Sequence, residues 1–158
     1  MRNRVMKTFA LAGVALMLVL AGCGDDDDSS EGSSESVELP AEAADVLAAY
    51  TEATAVDHDG DAMLAVVTED FTFLSVGDTV LDRDAYAAEV NRYGSNFTVE
   101  NLGDDVVVGD ADTYIVSTPQ SAGGAGFGST GFSVIRVVES DGEWLVDAHR
   151  FTGDFRTG

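Results

Sequence analysis

The order of hydrophobic patterns predicts an α+β domain in which three N-terminal helices pack on one face of a curved, mostly antiparallel sheet. Apolar residues recur at three- and four-residue spacing through the first half of the chain, around one short strand, and the period then changes to long β-type runs from Asn96 onward. Of 158 residues, 45% are apolar and 8% aromatic, enough to fill one core and to exclude wholesale disorder.

Pro40 opens the first helix, in which Ala43, Val46, Leu47, Tyr50, Ala53 and Thr54 form one face. The run Asp57-His58-Asp59-Gly60-Asp61 ends it. Asp59 or Asp61 caps a short second helix whose apolar face is Met63, Leu64, Val66 and Val67. Phe71 to Val76 reads as a strand closed by Gly77-Asp78. Asp82 or Asp84 caps a third helix presenting Tyr86, Val90 and Tyr93 before Gly94 stops it. Four strands follow, Phe97 to Val108, Thr113 to Thr118, Phe127 or Ser129 to Val138, and Trp144 to Thr152. Gly109-Asp110-Ala111-Asp112 and Ser140-Asp141-Gly142-Glu143 are their hairpin loops, the Asp-Gly pair being the stronger signal.

Ahead of this domain stands an address. Arg2, Arg4 and Lys7 precede an uncharged stretch from Thr8 to Leu20, the pattern of a signal peptide spanning residues 1–22 and too short to cross a bilayer comfortably. Leu20-Ala21-Gly22-Cys23 resembles the lipobox of bacterial lipoproteins, which implies acyl chains on Cys23, the only cysteine, and an extracytoplasmic domain held to the cell membrane. Residues 23–38 then form an acidic Ser/Gly-rich tether, because Gly24 to Ser36 holds no apolar side chain. The folded domain covers 39–158. Arg83, Arg92, Arg136, Arg150 and Arg156 are its basic residues, and with a whole-chain net charge of −21 a nucleic-acid partner is excluded, since every phosphate contact would start from repulsion.

The run Val56-Asp57-His58-Asp59-Gly60-Asp61-Ala62-Met63 through Phe71-Thr72-Phe73, a third helix, and closing strands with Asp141-Gly142-Glu143-Trp144 together resemble the SnoaL-like branch of the NTF2-like superfamily over about residues 41–155. The resemblance implies a cone whose sheet and helices enclose a pocket. It also implies homodimers, for which the outer sheet face around Trp144, Arg136 and Arg150 is the candidate. Activities in the family range from isomerases, cyclases and hydrolases to pockets without catalysis, so the fold does not fix the function.

Within that frame helix one turns Tyr50 toward the cavity. Residues two apart share a strand face, which groups Leu145, Asp147, His149 and Phe151 of the last strand, while the opposite set, Trp144, Val146 and Ala148, is also apolar enough to be the core face. Ser133 and Ile135 of the preceding strand complete the candidate ligand lining. Asp147 beside His149 makes either a polarised imidazole acting as general base, with Tyr50 donating to a developing oxyanion, or a hydrogen-bond grip on a ligand. In the ketosteroid isomerase branch Tyr50 matches the helix-one tyrosine, but Ser75 falls where that branch has its base and Ser133 where it has a second oxyanion donor. That isomerisation is therefore excluded, and the expectation is a pocket for a small hydrophobic ligand or a protein partner, with a His-based enzyme as the alternative.

Three patterns fail their contexts. Gly126-Phe127-Gly128-Ser129-Thr130-Gly131 matches a dinucleotide fingerprint but is followed by strand residues, and reads as a hairpin loop, with the run Gly123-Gly124-Ala125-Gly126 as a lip over the cavity mouth. Asp57-x-Asp59-x-Asp61 lacks the glycine and final glutamate of a calcium loop, and His58 reads as a solvated turn residue. The histidines and lone cysteine make no tetrahedral zinc set, and no motif calls for a cofactor.

Overall fold

Apolar faces at the predicted spacings assemble against one sheet in the computed structural model, which describes residues 36–93, 97–124 and 127–157. The leader, Cys23, the acidic stretch through residue 35, Gly94 and Gly126 lie outside the described residues. Helix α1 spans Ala41–Thr51 behind Pro40 and continues as one π-helical turn, Glu52–Val56. Its buried positions, Ala43, Tyr50, Ala53 and Thr54, are those of the predicted face. Helix α2 is only Gly60–Leu64, and strand β1 begins at Val67, earlier than the sequence suggests. Val67, expected on the helix, is a buried strand residue instead, because β1 pairs in parallel with the last strand from Val67 onward.

Strand β2, Val80–Asp82, pairs antiparallel with β1 across the turn at Gly77 and Asp78, both with positive φ. It was not anticipated, being only three residues long. Asp82 caps helix α3, Arg83–Val90, accepting a hydrogen bond from the Ala85 N–H at 2.9 Å. Asp59 does the same for α2, accepting from Ala62 N–H at 3.0 Å. The expected strand from Phe97 is broken into β3, Thr98–Asn101, and β4, Val106–Asp110, each pairing antiparallel with β5, Thr113–Gly124. Strands β6, Phe127–Ser140, and β7, Glu143–Thr157, are longer than predicted. Asp141 at φ 55° and Gly142 at φ 83° make the tight turn between them.

The seven-stranded sheet runs β2-β1-β7-β6-β5-β3, with β4 alongside β5. All pairings are antiparallel except β1 with β7. Helix α1 lies against β7 and β6, and α3 against β1 and β2, so the core forms between helices and one sheet face. Phe71, Phe73, Tyr86, Val137 and Val146 meet there. Ser36 and Val37 add an edge contact to β4, Val37 N–H donating to the Val107 carbonyl at 3.0 Å.

The glycine-rich run that mimicked a dinucleotide fingerprint is strand, not loop, from Phe127 through Gly131. Gly131 faces Gly153 across the ladder, and a Cβ on Gly131 would fall 1.8 Å from the Thr152 carbonyl oxygen. Close approach of two bent strands, not a phosphate, explains that glycine.

Candidate functional site

One register shift decides what the cavity contains. On β6, Ser133, Ile135 and Val137 alternate inward without a break. On β7, Ala148 pairs with Arg136 and Val146 with Val137, so Asp147 is an extra residue in a β-bulge. Parity changes across it. Val146 points into the core on one side of the bulge, and His149 and Phe151 do so on the other.

Both faces expected for the last strand were therefore half right. Tyr50, Ser133, Ile135, His149 and Phe151 line the cavity as anticipated. Leu145 and Asp147 do not. Asp147 turns to the other side of the sheet, where its carboxylate accepts from Thr68 Oγ1 at 3.0 Å and pairs with Arg136. The expected Asp147–His149 partnership does not exist. Trp144, placed by sequence on the outer face, instead packs against the core next to Tyr114, ring centroids 5.7 Å apart.

His149 has different partners. Its Nδ1 lies 2.8 Å from the Tyr50 hydroxyl and its Nε2 lies 2.9 Å from Ser133 Oγ. Phe73 meets the imidazole edge-on at 5.0 Å and Tyr86 stacks on Phe73 at 4.0 Å, so the ring is clamped by aromatic surface. Burial without a carboxylate partner penalises the imidazolium and lowers the His149 pKa to about 3. The part of the ring that stays accessible faces the cavity. At neutral pH this is an uncharged imidazole, with one nitrogen donating and the other accepting. Burial likewise raises the pKa of Tyr50 and Tyr86, which adjoin each other, and that of Tyr93, so all three phenols keep their protons.

The cavity encloses about 270 Å³. Tyr50, Phe73, Tyr86, Tyr93, Phe97 and Phe151 supply aromatic walls, with Ala55, Val76, Val99, Ala122 and Ile135 between them. Thr51, Thr54, Ser75, Gln120, Ser129, Ser133 and His149 are its polar lining. Among the described residues that line it there is no Asp, Glu, Arg or Lys, in a chain with 29 acids. Most of the polar groups are already engaged: Thr51 and Thr54 donate to carbonyls one turn back at 2.9 and 2.8 Å, and Gln120 donates to Asn101 at 2.9 Å. Ser129 Oγ is buried with no hydrogen-bond partner.

Sequence reasoning missed Tyr86, Phe73, Ser129 and Gln120 as lining residues. Phe73, Gln120 and Ser129 follow from inward parity on β1, β5 and β6, which becomes readable only once pairing is known. Tyr86 comes from the apolar face of α3, whose helical spacing was legible although its contact with the cavity was not. His58 also departs from expectation. It takes φ 53° and sets its ring against Tyr93 and Phe97, each centroid 6.0 Å away, with Nε2 buried rather than solvated.

No family model matches the chain, and no curated protein matches it. Solved structures do. An NTF2-like protein from Cytophaga hutchinsonii superposes with a TM-score of 0.57 at 16% identity, covering 70% of this chain and 94% of that one. A type 2 hexachlorocyclohexane dehydrochlorinase gives 0.61 at 8% identity, covering 75% and 87%. An NTF2-like protein of unknown function from Pseudomonas putida gives 0.56 at 12% identity, covering 69% and 82%. The α+β fold of this chain, helices on one curved mixed sheet, is the one shared with these proteins: it is NTF2-like.

Proposed function

We propose that the domain binds a small, uncharged, mostly apolar ligand carrying at least one hydrogen-bonding group, and that Cys23 tethers it by acyl chains to the outside of the cell membrane. The observation that carries the binding reading is the charge-free cavity lining in so acidic a chain. Among the described lining residues an anionic ligand would meet no cation, with repulsion outside, and a cationic one would find no carboxylate to pair with. The volume, near 270 Å³, lies just below the usual range of about 300–1,000 Å³ for small-molecule sites, which suits a one- or two-ring compound. The hexachlorocyclohexane named for one structural neighbour is likewise uncharged and apolar, though it lacks the hydrogen-bonding group proposed here.

Binding is favoured over general-base catalysis. Asp147 is turned away, and an imidazole with a pKa of about 3 is a poor proton acceptor at neutral pH. The test is to purify the full chain from a bacterial membrane fraction, denature it, and identify released compounds by mass spectrometry. A neutral organic molecule released from wild type and absent from His149→Trp, which fills the cavity floor, is the expected result. Release of an organic anion would overturn the reading. For the tether, Cys23→Ser is expected to move the protein from the membrane to the soluble fraction, and unchanged partition would defeat it.

A second reading, self-association through the outer sheet face, is favoured by Val106, Ile115 and Phe132, which are 47%, 40% and 53% exposed on that side with Arg136 and Arg150 near them.

A further inference from the structure

A neutral imidazole held at both nitrogens by hydroxyl groups has two arrangements of equal charge and equal proton number. In the first, the Tyr50 hydroxyl donates to Nδ1, Nε2–H donates to Ser133 Oγ, and the Ser133 proton is left to donate into the cavity. In the second, Ser133 donates to Nε2, Nδ1–H donates to Tyr50, and the Tyr50 proton turns to the neighbouring Tyr86 hydroxyl. Ser133 then offers the cavity only lone pairs. The distances of 2.8 and 2.9 Å suit both arrangements, because each contact reads equally well in either direction. Among the described residues no carboxylate or cation is hydrogen-bonded to either nitrogen to favour one tautomer, and the Tyr50 and Tyr86 hydroxyls interact with each other. Ordinary histidine sites are locked by a carbonyl or carboxylate on one side. This one is not.

We propose that the Tyr50–His149–Ser133 chain is a reversible donor/acceptor switch at the cavity floor, so that the site accepts both carbonyl-type ligands, which need a donor, and N–H or O–H ligands, which need an acceptor. Ser133 is the residue that presents the choice, because it is 1% exposed, lines the cavity and bonds Nε2 directly. A fixed donor would discriminate strongly against the wrong partner, since a buried group left unpaired is costly. A chain that reverses leaves neither ligand with an unpaired group, so the two classes bind with affinities within about tenfold of each other. The proposal rests on the ligand-binding reading above and adds to it the pair of ligand classes admitted.

Two bicyclic probes separate the cases: 1-indanone, which can only accept, and indole, whose N–H can only donate. The full chain labelled with 15N-histidine carries 2 histidines, and His149→Gln assigns the remaining signals to His58. With 1-indanone bound, His149 Nδ1 is expected to resonate as a pyridine-type nitrogen and Nε2 as a pyrrole-type one. With indole bound the two are expected to exchange character. In Ser133→Ala both probes are expected to bind about three- to tenfold more weakly, and the tautomer should no longer follow the probe. If both probes bind wild type and His149 keeps one tautomer throughout, the switch is wrong while ligand binding stands. If the exchange survives Ser133→Ala, Ser133 is not the reading residue and the proposal falls. If neither probe perturbs a cavity residue, the ligand-binding reading fails and takes the switch with it.

Discussion

His149 sets the terms at the scale of single residues. Its folded-state pKa, about 3, lies below the ordinary 6.5, so between those values the unfolded chain binds more protons than the folded one. Stability from this group is complete above about pH 6.5 and is lost as pH falls toward 3, at a slope of up to about 1.4 kcal/mol per pH unit. Urea unfolding of wild type and His149→Gln across that window isolates the effect, because carboxylate titrations are common to both. The stability difference is expected to shift toward the variant on acidification, and a pH-independent difference would mean the imidazole is charged or solvated in the folded protein. Ser129 carries the opposite sign. Its Oγ is buried without a partner, so Ser129→Ala removes a desolvation cost rather than a bond. An increase in unfolding free energy of about 1 kcal/mol is expected from equilibrium denaturation, and a decrease would reveal a partner for that hydroxyl.

Single elements show where sequence patterns were readable and where they were not. Helix α1 could be read because Ala43, Tyr50, Ala53 and Thr54 hold helical spacing across the π turn, and the helix α3 start because Asp82 is a capping residue before an apolar face. The β6–β7 turn was legible in Asp141-Gly142, whose positive φ values suit those residue types. Strand β7 defeated a period-two reading, because the extra residue at Asp147 leaves no mark in the apolar pattern: Trp144, Leu145 and Val146 are all hydrophobic, and either parity looks acceptable. Half of the lining expected from this strand, His149 and Phe151, survived, and its acid did not. Asp147→Asn tests that separation. It weakens the pairing with Arg136 on the far side of the sheet and is expected to leave affinity for a cavity ligand within twofold of wild type, measured by calorimetry. A loss of tenfold or more would return Asp147 to the binding machinery.

Viewed whole, the molecule sets an acidic exterior around an uncharged interior. Net charge of −21 keeps the surface hydrated and repels anions, while the cavity walls are aromatic and aliphatic. On the outer sheet face Phe132 is 53% exposed, more than its neighbours Val106 and Ile115. If that face mediates self-association, light scattering of the full chain in detergent gives a dimeric mass for wild type and a monomeric one for Phe132→Glu; a monomeric wild type contradicts the idea. The central claim concerns the interior, and the most direct measurement is a pair of calorimetric titrations of the full chain, one with 1-indanone and one with indane-1-carboxylate, which share a ring system and differ in charge. Saturable binding of the ketone, with the carboxylate at least about tenfold weaker, is the predicted result. Equal or tighter binding of the carboxylate would contradict it.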